Sequence, residues 1–491
     1  MITHKKTISK FIVIAAILLL AACKKEQSST TGWEYNQPKN GGFEVVPYEE
    51  QETGPGLILI EGGTFAMGRT EQDVVYDWDN IPRRVTVSSF YMDETEVKNL
   101  DWCEYLYWLR RVFGVDYPEV YKKALPDTLV WRDKLAYNEP LVELYLRHPA
   151  YRDYPVVGVS WLQANDYCAW RTDRVNEYIL IREGILKMDP SQSNEENFNT
   201  EAYLAGQYEG LVKNDLIDLN PNGQGTRKVR MEDGILLPKY RLPTEAEWEF
   251  ACLGLIGNTM YERVVERRLY PWNGHVMRTD ADRNLGDFVV NFKRGRGDNM
   301  GVAGNLNDAA DIPAPVYSYW PNDYGLYNMA GNVAEWVMDV YRPLSYEDVS
   351  DFNPYRGNVF KTKVTDEEGN IAEKDSLGRI MWRDVTKQEA ADRRNYRKAD
   401  NINYLDGDYT STIQQTWDTP EDSSVSTSRM MYDYSTTSMI NDKARVYKGG
   451  SWNDRAYYLV AGTRRFLDQS LSTDYIGFRC AMTRVGNPIG H

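Results

Sequence analysis

Alternation of apolar and polar positions is clearest where the ordered part of the chain begins. Leu57-Ile-Leu-Ile60, the glycine pair Gly62-Gly63 and Thr64-Phe-Ala-Met67 predict a strand, a turn and a strand. Arg84-Val-Thr-Val87 predicts a further strand that runs into Phe90-Tyr-Met-Asp93. The period then lengthens, because Leu100, Cys103, Leu106 and Tyr107 recur at roughly helical spacing up to Phe113, with Gly114 at the C-terminal cap. Tyr154-Pro-Val-Val-Gly-Val-Ser-Trp161 reads as a buried strand. Ser160 and Gln163 form a capping box, and Trp161, Ala164, Cys168, Arg171 and Val175 mark one face of a helix from about Trp161 to Glu177. A second capping box, Thr244-Glu-Ala-Glu247, opens another helix whose first-turn glutamates complement the helix dipole. Ala444 to Trp452 and Tyr475 to Ala481 return to a strand-like pattern.

One stretch fits neither period. Tyr324-Gly-Leu-Tyr-Asn-Met-Ala-Gly-Asn-Val-Ala-Glu-Trp336 carries two glycines, two asparagines, a carboxylate and three aromatic rings, which suits a sharply bent, buried loop rather than a helix or strand. Asn332 and Glu335 place hard oxygen ligands three residues apart, with a backbone carbonyl between them as a third, as a calcium site requires. A turn in which the same side chains cap backbone amides accounts for the pattern equally well.

The polar stretches set the organisation. Lys5, Lys6 and Lys10 precede an apolar run from Phe11 to Leu20 that is too short to span a bilayer, and Leu20-Ala-Ala-Cys23 follows as a lipoprotein-type cleavage box with Cys23 as the lipidated residue. Residues 1–22 are thus expected to be a signal peptide and 23–55 a lipid-anchored flexible tether. A single core domain is expected over 56–482, with insertions at about 115–153, 181–236 and 341–441, and a tail at 483–491. The last insertion is low in apolar residues and rich in charge, Ser and Thr, which marks it as an interaction element or a partly disordered segment.

Loss of residues 1–22 removes three lysines and no acid, taking the formal charge from −15 to −18. So acidic a body repels phosphate backbones, which excludes nucleic acid as a partner. Cys103, Cys168, Cys252 and Cys480 are scattered without a Cys-x-x-Cys pair, and His148, His275 and His491 are as far apart, so neither a zinc site nor a histidine iron centre is supported. An oxidising compartment would permit a disulfide, but the spacing does not say which.

Taken in order, Ile60-Glu-Gly-Gly-Thr-Phe-Ala-Met-Gly68, Arg241-Leu-Pro-Thr-Glu-Ala-Glu-Trp248, Tyr324 to Trp336, Lys448-Gly-Gly-Ser-Trp452 and Gly477-Phe-Arg-Cys480 resemble the signature of the formylglycine-generating-enzyme (sulfatase-modifying factor) domain. The resemblance implies an α+β fold of C-type-lectin-like topology with little regular secondary structure and structural calcium. It places one calcium at Asn332, Glu335 and the Val333 carbonyl, and a second at Asn284 and Asp308. It also implies a pair of cysteines after the Gly-Gly-Ser, where soft thiolates hold copper(I) in the oxidising members. The matching positions here are Asp454 and Leu459, so no redox metal and no catalytic residue are expected.

Further stretches, among them Asp127-Thr-Leu-Val-Trp131, His148-Pro-Ala-Tyr151 and Trp170-Arg-Thr-Asp-Arg-Val-Asn-Glu177, resemble the GldJ-type family of gliding-motility lipoproteins of the Bacteroidetes. That family is related to the ring lipoprotein of the type IX secretion system. This resemblance implies a non-catalytic assembly subunit, lipid-anchored at the periplasmic face of the outer membrane. Its implied partners are other gliding and secretion subunits, namely the ring lipoprotein and its periplasmic partner. An oxidative enzyme of the formylglycine-generating class and a peptidoglycan or carbohydrate binder are the alternatives, the latter suggested by 35 Tyr and 14 Trp.

Overall fold

The computed structural model describes residues 26–69, 79–254, 268–272, 276–293, 312–342, 351–357, 359, 361–386 and 443–486. The signal peptide, Cys23, Asp308, the greater part of 387–441 and the end of the tail lie outside the described residues. In chain order the principal elements are β1 (Leu57–Ile60), β2 (Gly63–Met67), β3 (Arg83–Val87), β4 (Phe90–Asp93), α1 (Asn99–Phe113) and α2 (Trp161–Arg182). These are followed by β5 (Tyr240–Arg241), α3 (Glu245–Leu253), β6 (Ala334–Val340), β7 (Ala444–Lys448), β8 (Arg465–Asp468), β9 (Ile476–Gly477) and β10 (Ala481–Thr483).

The chain divides into two compact units: 1–50 with 179–188 and 211–236, and 51–178 with 189–210 and 237–491. In the larger unit one sheet has the order β1-β4-β10-β5 and a second the order β8-β7-β6-β9, while β2 and β3 form a hairpin. All pairings are antiparallel except β9 with β6. Short strands and much irregular chain agree with the expected α+β architecture.

Both capping boxes form. Ser160 Oγ accepts from Gln163 N while Gln163 Oε1 accepts from Ser160 N, and α2 then runs five residues beyond its expected end. Thr244 and Glu247 make the same reciprocal pair at the start of α3. Eight of the nine residues of α3 are buried, so it is a core helix, with Trp248, Phe250, Ala251 and Cys252 fully buried. Trp248 and Phe250 join Phe65, Phe90, Met92, Leu326 and Val446 in one apolar core, and each such side chain contributes roughly 1.5–3 kcal/mol by leaving water.

Several expectations are corrected. Residues 154–161 are buried but form no strand; Pro155 makes a single bridge to Lys98. Pro155 has no N–H to give a ladder, and Gly158 turns at φ +74 with its Cα against Asp127 O, where a Cβ would sit 2.4 Å away. The anomalous stretch is a loop only to Val333, because its last residues enter β6. In the smaller unit, residues 36–46 are not free chain. Asn36 pairs with both backbone groups of Val45, and Glu44 accepts from Leu219 N and pairs with Arg227, which also holds Asp233. The first half of the 341–441 insertion is folded in the larger unit. Thr86 N donates to Asp351 O, Arg356 N donates to Asp339, and residues 361–363 pair with 382–384.

Candidate functional site

The loop leading to β6 is bent by four left-handed residues, Gly325, Asn328, Gly331 and Asn332. Gly331 has no alternative, since a Cβ there would lie 2.3 Å from Val290 and 2.4 Å from Asn291 O. Asparagine tolerates the left-handed region because its short polar side chain is used locally, and both asparagines turn inward to one acid. Asn328 Nδ2 donates to Glu96 Oε2 at 3.0 Å and to Val316 O, while Asn332 Nδ2 donates to Glu96 Oε1 at 2.9 Å. Asn332 Oδ1 accepts from Ala314 N at 2.7 Å. Glu96 is 1% exposed. Burial pushes its carboxyl up to about 8, with Arg479 acting against the shift and Glu335 adding to it.

Glu335 is the loop's second anchor. Arg479 clamps it with two bonds, Nε to Oε2 at 2.7 Å and Nη2 to Oε1 at 2.6 Å, and Trp248 Nε1 donates to Oε2 at 2.7 Å. The same guanidinium reaches Tyr327 O at 2.8 Å and Asp93 O at 3.1 Å. Both side chains are sealed, at 0% and 1% exposure. A planar fork serving one carboxylate and several carbonyls is what arginine provides and lysine does not.

As arranged, these donors do not present a calcium cage. Both oxygens of Glu335 face the cationic guanidinium and an indole N–H, and the Asn332 side-chain oxygen is taken by Ala314 N. Val333 is buried against Trp131, Tyr145 and Val157. Among the described residues no three His, Cys, Asp or Glu side chains are grouped as a metal would need. Asn284 lies in a short turn at residues 282–284 and gives its backbone to Ala281 and Asp287. Its expected partner Asp308 is outside the described residues.

The loop meets the Gly-Gly-Ser turn directly: Gly331 N donates to Gly449 O and Trp452 N to Asn332 O. Beyond that turn stand the two positions where thiols are expected in an oxidising relative. Asp454 is bound in an ion pair, with Oδ1 at 2.7 Å and Oδ2 at 2.6 Å from the two terminal nitrogens of Arg465, and it accepts from Ser451 Oγ at 2.6 Å. Leu459 is 0% exposed and packs with Tyr270, Val290, Phe292 and Ala330. An acid tied to arginine and an aliphatic side chain in an apolar cluster offer no soft ligand and no nucleophile.

Under the turn lies a second sealed charge cluster. Lys448 Nζ is 3.0 Å from Glu249 and 3.4 Å from Glu245, and Arg464 Nε is 2.6 Å from Glu245. Burial alone would raise Glu245, but Arg464, Lys448 and Arg83 hold it below the ordinary value. Glu249 also accepts from Gly68 N at 2.7 Å, which ties α3 to the end of β2.

Sequence reasoning missed Glu96 and Arg479, although both sit in quoted stretches. It also left the thiols scattered, whereas the fold brings Cys168 Sγ and Cys480 Sγ to 3.5 Å, both buried. This pair is remote from Asp454 in role: burial pushes the Cys480 thiol well up, so the thiolate that binds metal or attacks substrate is disfavoured. Oxidised protein is expected to close Cys168–Cys480 as a disulfide. Non-reducing peptide mapping should find it, and reduction should lower Tm by a few degrees, in line with the ~2–4 kcal/mol typical of such bridges. Recovery of both thiols free from air-oxidised protein would contradict this.

A family model described as sulfatase-modifying factor enzyme 1-like domain matches residues 42–484. The formylglycine-generating enzyme of Mus musculus is 26% identical over 326 residues, covering 63% of this chain and 64% of the enzyme, so the chain spans just under two thirds of that relative. The formylglycine-generating enzyme of Streptomyces coelicolor is 36% identical over 115 residues, 23% of this chain and 31% of the enzyme. Inactive C-alpha-formylglycine-generating enzyme 2 of Mus musculus is 24% identical over 312 residues, 59% of this chain and 70% of that protein. Among solved structures, PvdO from Pseudomonas aeruginosa covers 89% of this chain and 100% of its own at 15% identity and a TM-score of 0.41. The matched span takes in every motif from Ile60 to Cys480, and the chain belongs to the sulfatase-modifying factor, formylglycine-generating-enzyme-like domain family.

Proposed function

We propose that this chain is a non-catalytic member of its family, a lipid-anchored subunit at the periplasmic face of the outer membrane that serves assembly of the gliding-motility and type IX secretion machinery. The observation that carries the non-catalytic reading is the Asp454–Arg465 ion pair beside buried Leu459, at the positions where the oxidising members are expected to hold thiols. A relative named inactive supports the view that the family includes proteins that do no oxidation. The anchor rests on Leu20-Ala-Ala-Cys23, and the assembly role on the resemblance of the inserted stretches to the gliding lipoproteins.

The partners in this reading are the ring lipoprotein and its periplasmic partner, taken up by the acidic, Ser/Thr-rich residues 387–441. A deletion should spare 341–386, because Tyr341 and Arg342 are buried and Arg356 N is bonded to Asp339. Replacing 387–441 by a short Gly-Ser linker is expected to abolish recovery of the partners after native crosslinking while leaving Tm unchanged. Full recovery of the partners would overturn the docking role.

A further inference from the structure

Outside the loop and the Gly-Gly-Ser turn, the larger unit contains a cavity of about 330 Å³ between α1, α2 and the segments around residues 197–199 and 377–379. Its size falls at the lower end of the range for small-molecule sites. Four aromatic rings wall it: Tyr105, Trp108, Phe113 and Trp170. Trp170 stands 5.1 Å from Tyr105 at 48° and 6.4 Å from Trp108 at 59°, so the rings are splayed rather than stacked face to face. Neither the Trp108 nor the Trp170 indole N–H has an acceptor, although both nitrogens are buried. A buried donor left unpaired costs roughly 1–3 kcal/mol, a cost that a ligand oxygen would relieve.

The polar lining narrows the ligand class. Asp166 and Asp173 are balanced by Lys123 and Arg379, so the wall carries both signs and no net charge. Asp173 is already engaged by Asn199 and by Thr200 N, which leaves Asp166 as the acid free of any bond to a described residue. A strongly charged ligand would gain from one pair what it lost to the other. A purely apolar one would leave Asp166 and the indole donors unanswered. What answers splayed rings and a neutral, mixed donor and acceptor rim is a molecule with flat C–H faces edged by hydroxyls. We propose that this cavity binds one or two rings of a neutral saccharide, with the C–H faces against Trp108 and Trp170 and hydroxyls on Asp166 and Arg379. The inference is independent of whether the fold is catalytic.

The test is saturation-transfer NMR on the full chain, free of sugar-headed detergent, with glucose, N-acetylglucosamine, cellobiose and N,N′-diacetylchitobiose, and choline and acetate as charged controls. Transfer to the ring C–H protons of at least one saccharide is expected. Trp170→Ala should weaken its Kd by about tenfold or more, the equivalent of ~1.4 kcal/mol. Asp166→Ala, a change at an exposed position, should weaken it by roughly threefold to tenfold, and it decides the matter if Trp170→Ala does not fold. Absence of transfer from all four sugars overturns the proposal. So does equal binding by Asp166→Ala and wild type, or saturation by choline or acetate alone.

Discussion

Replacing Arg479 by methionine is expected to destabilise the fold by about 3–5 kcal/mol, because it leaves the Glu335 carboxylate buried without its counter-charge. The substitution keeps most of the side-chain volume and removes the guanidinium. Glu335 would then retain only the Trp248 N–H, and the carbonyls of Tyr327 and Asp93 would each lose a donor. A fall in Tm of roughly 5–15 °C corresponds to that loss. Because most of the cost is the orphaned charge, removing both partners should cost less than removing one. Glu335→Leu with Arg479→Met is expected to recover at least half of the stability. An additive or worse double variant would mean that the pair does not hold the loop. The same measurement separates the ion pair from a calcium clasp. With Arg479 beside Glu335, a calcium chelator should leave the wild-type Tm unchanged, whereas a clear fall on chelation would place a cation where the guanidinium now sits.

Stability is also expected to fall as pH rises from about 4 to 8. Burial raises Glu96 to about 8 and Asp339 to about 7 in the folded chain, from ordinary values of 4.5 and 3.8. Between those limits the folded state keeps protons that the unfolded state has released, so the slope of stability with pH is negative there. The contribution is fully present below the unfolded values and is lost by the time pH passes 8. Glu245 runs the other way, with its stabilising effect lost only as pH falls below its ordinary range. Glu96→Gln isolates one group. The amide cannot ionise, so the difference between variant and wild type should move in favour of the variant as pH rises from 5 to 8.5. Parallel urea-denaturation profiles for the two proteins across that range would refute the assignment.

The local part of this fold is legible in the sequence. Ser160 with Gln163 and Thr244 with Glu247 each state a helix start within four residues, and the bonds that form are the ones the pattern predicts. The positions of Asp454 and Leu459 are legible for the same reason, since they are counted from a nearby glycine turn. What the sequence does not carry is pairing at a distance. Glu335 finds Arg479 across 144 residues, Asn332 finds Glu96 across 236 and Cys168 finds Cys480 across 312. No period or spacing links such positions, so the loop's oxygens read as well for a cation as for an arginine. Composition misleads where one residue overrides its neighbours. Val156, Val157 and Val159 suggest a strand, yet Pro155 and left-handed Gly158 stop the ladder. The polar residues 351–386 suggest an excursion, yet Asp339 caps Arg356 N and draws that chain onto β6.

Whether this member of the family oxidises a thiol is decided most directly by offering it the chance. The natively purified full chain would be assayed for bound copper and then incubated with copper(I), oxygen, a thiol reductant and a cysteine-bearing sulfatase-type peptide, with the peptide followed by mass spectrometry. With Asp454 held by Arg465 and Leu459 in the apolar core, the prediction is no stoichiometric copper and a peptide of unchanged mass. Copper near one per chain, together with conversion of the peptide cysteine to an aldehyde, would contradict it.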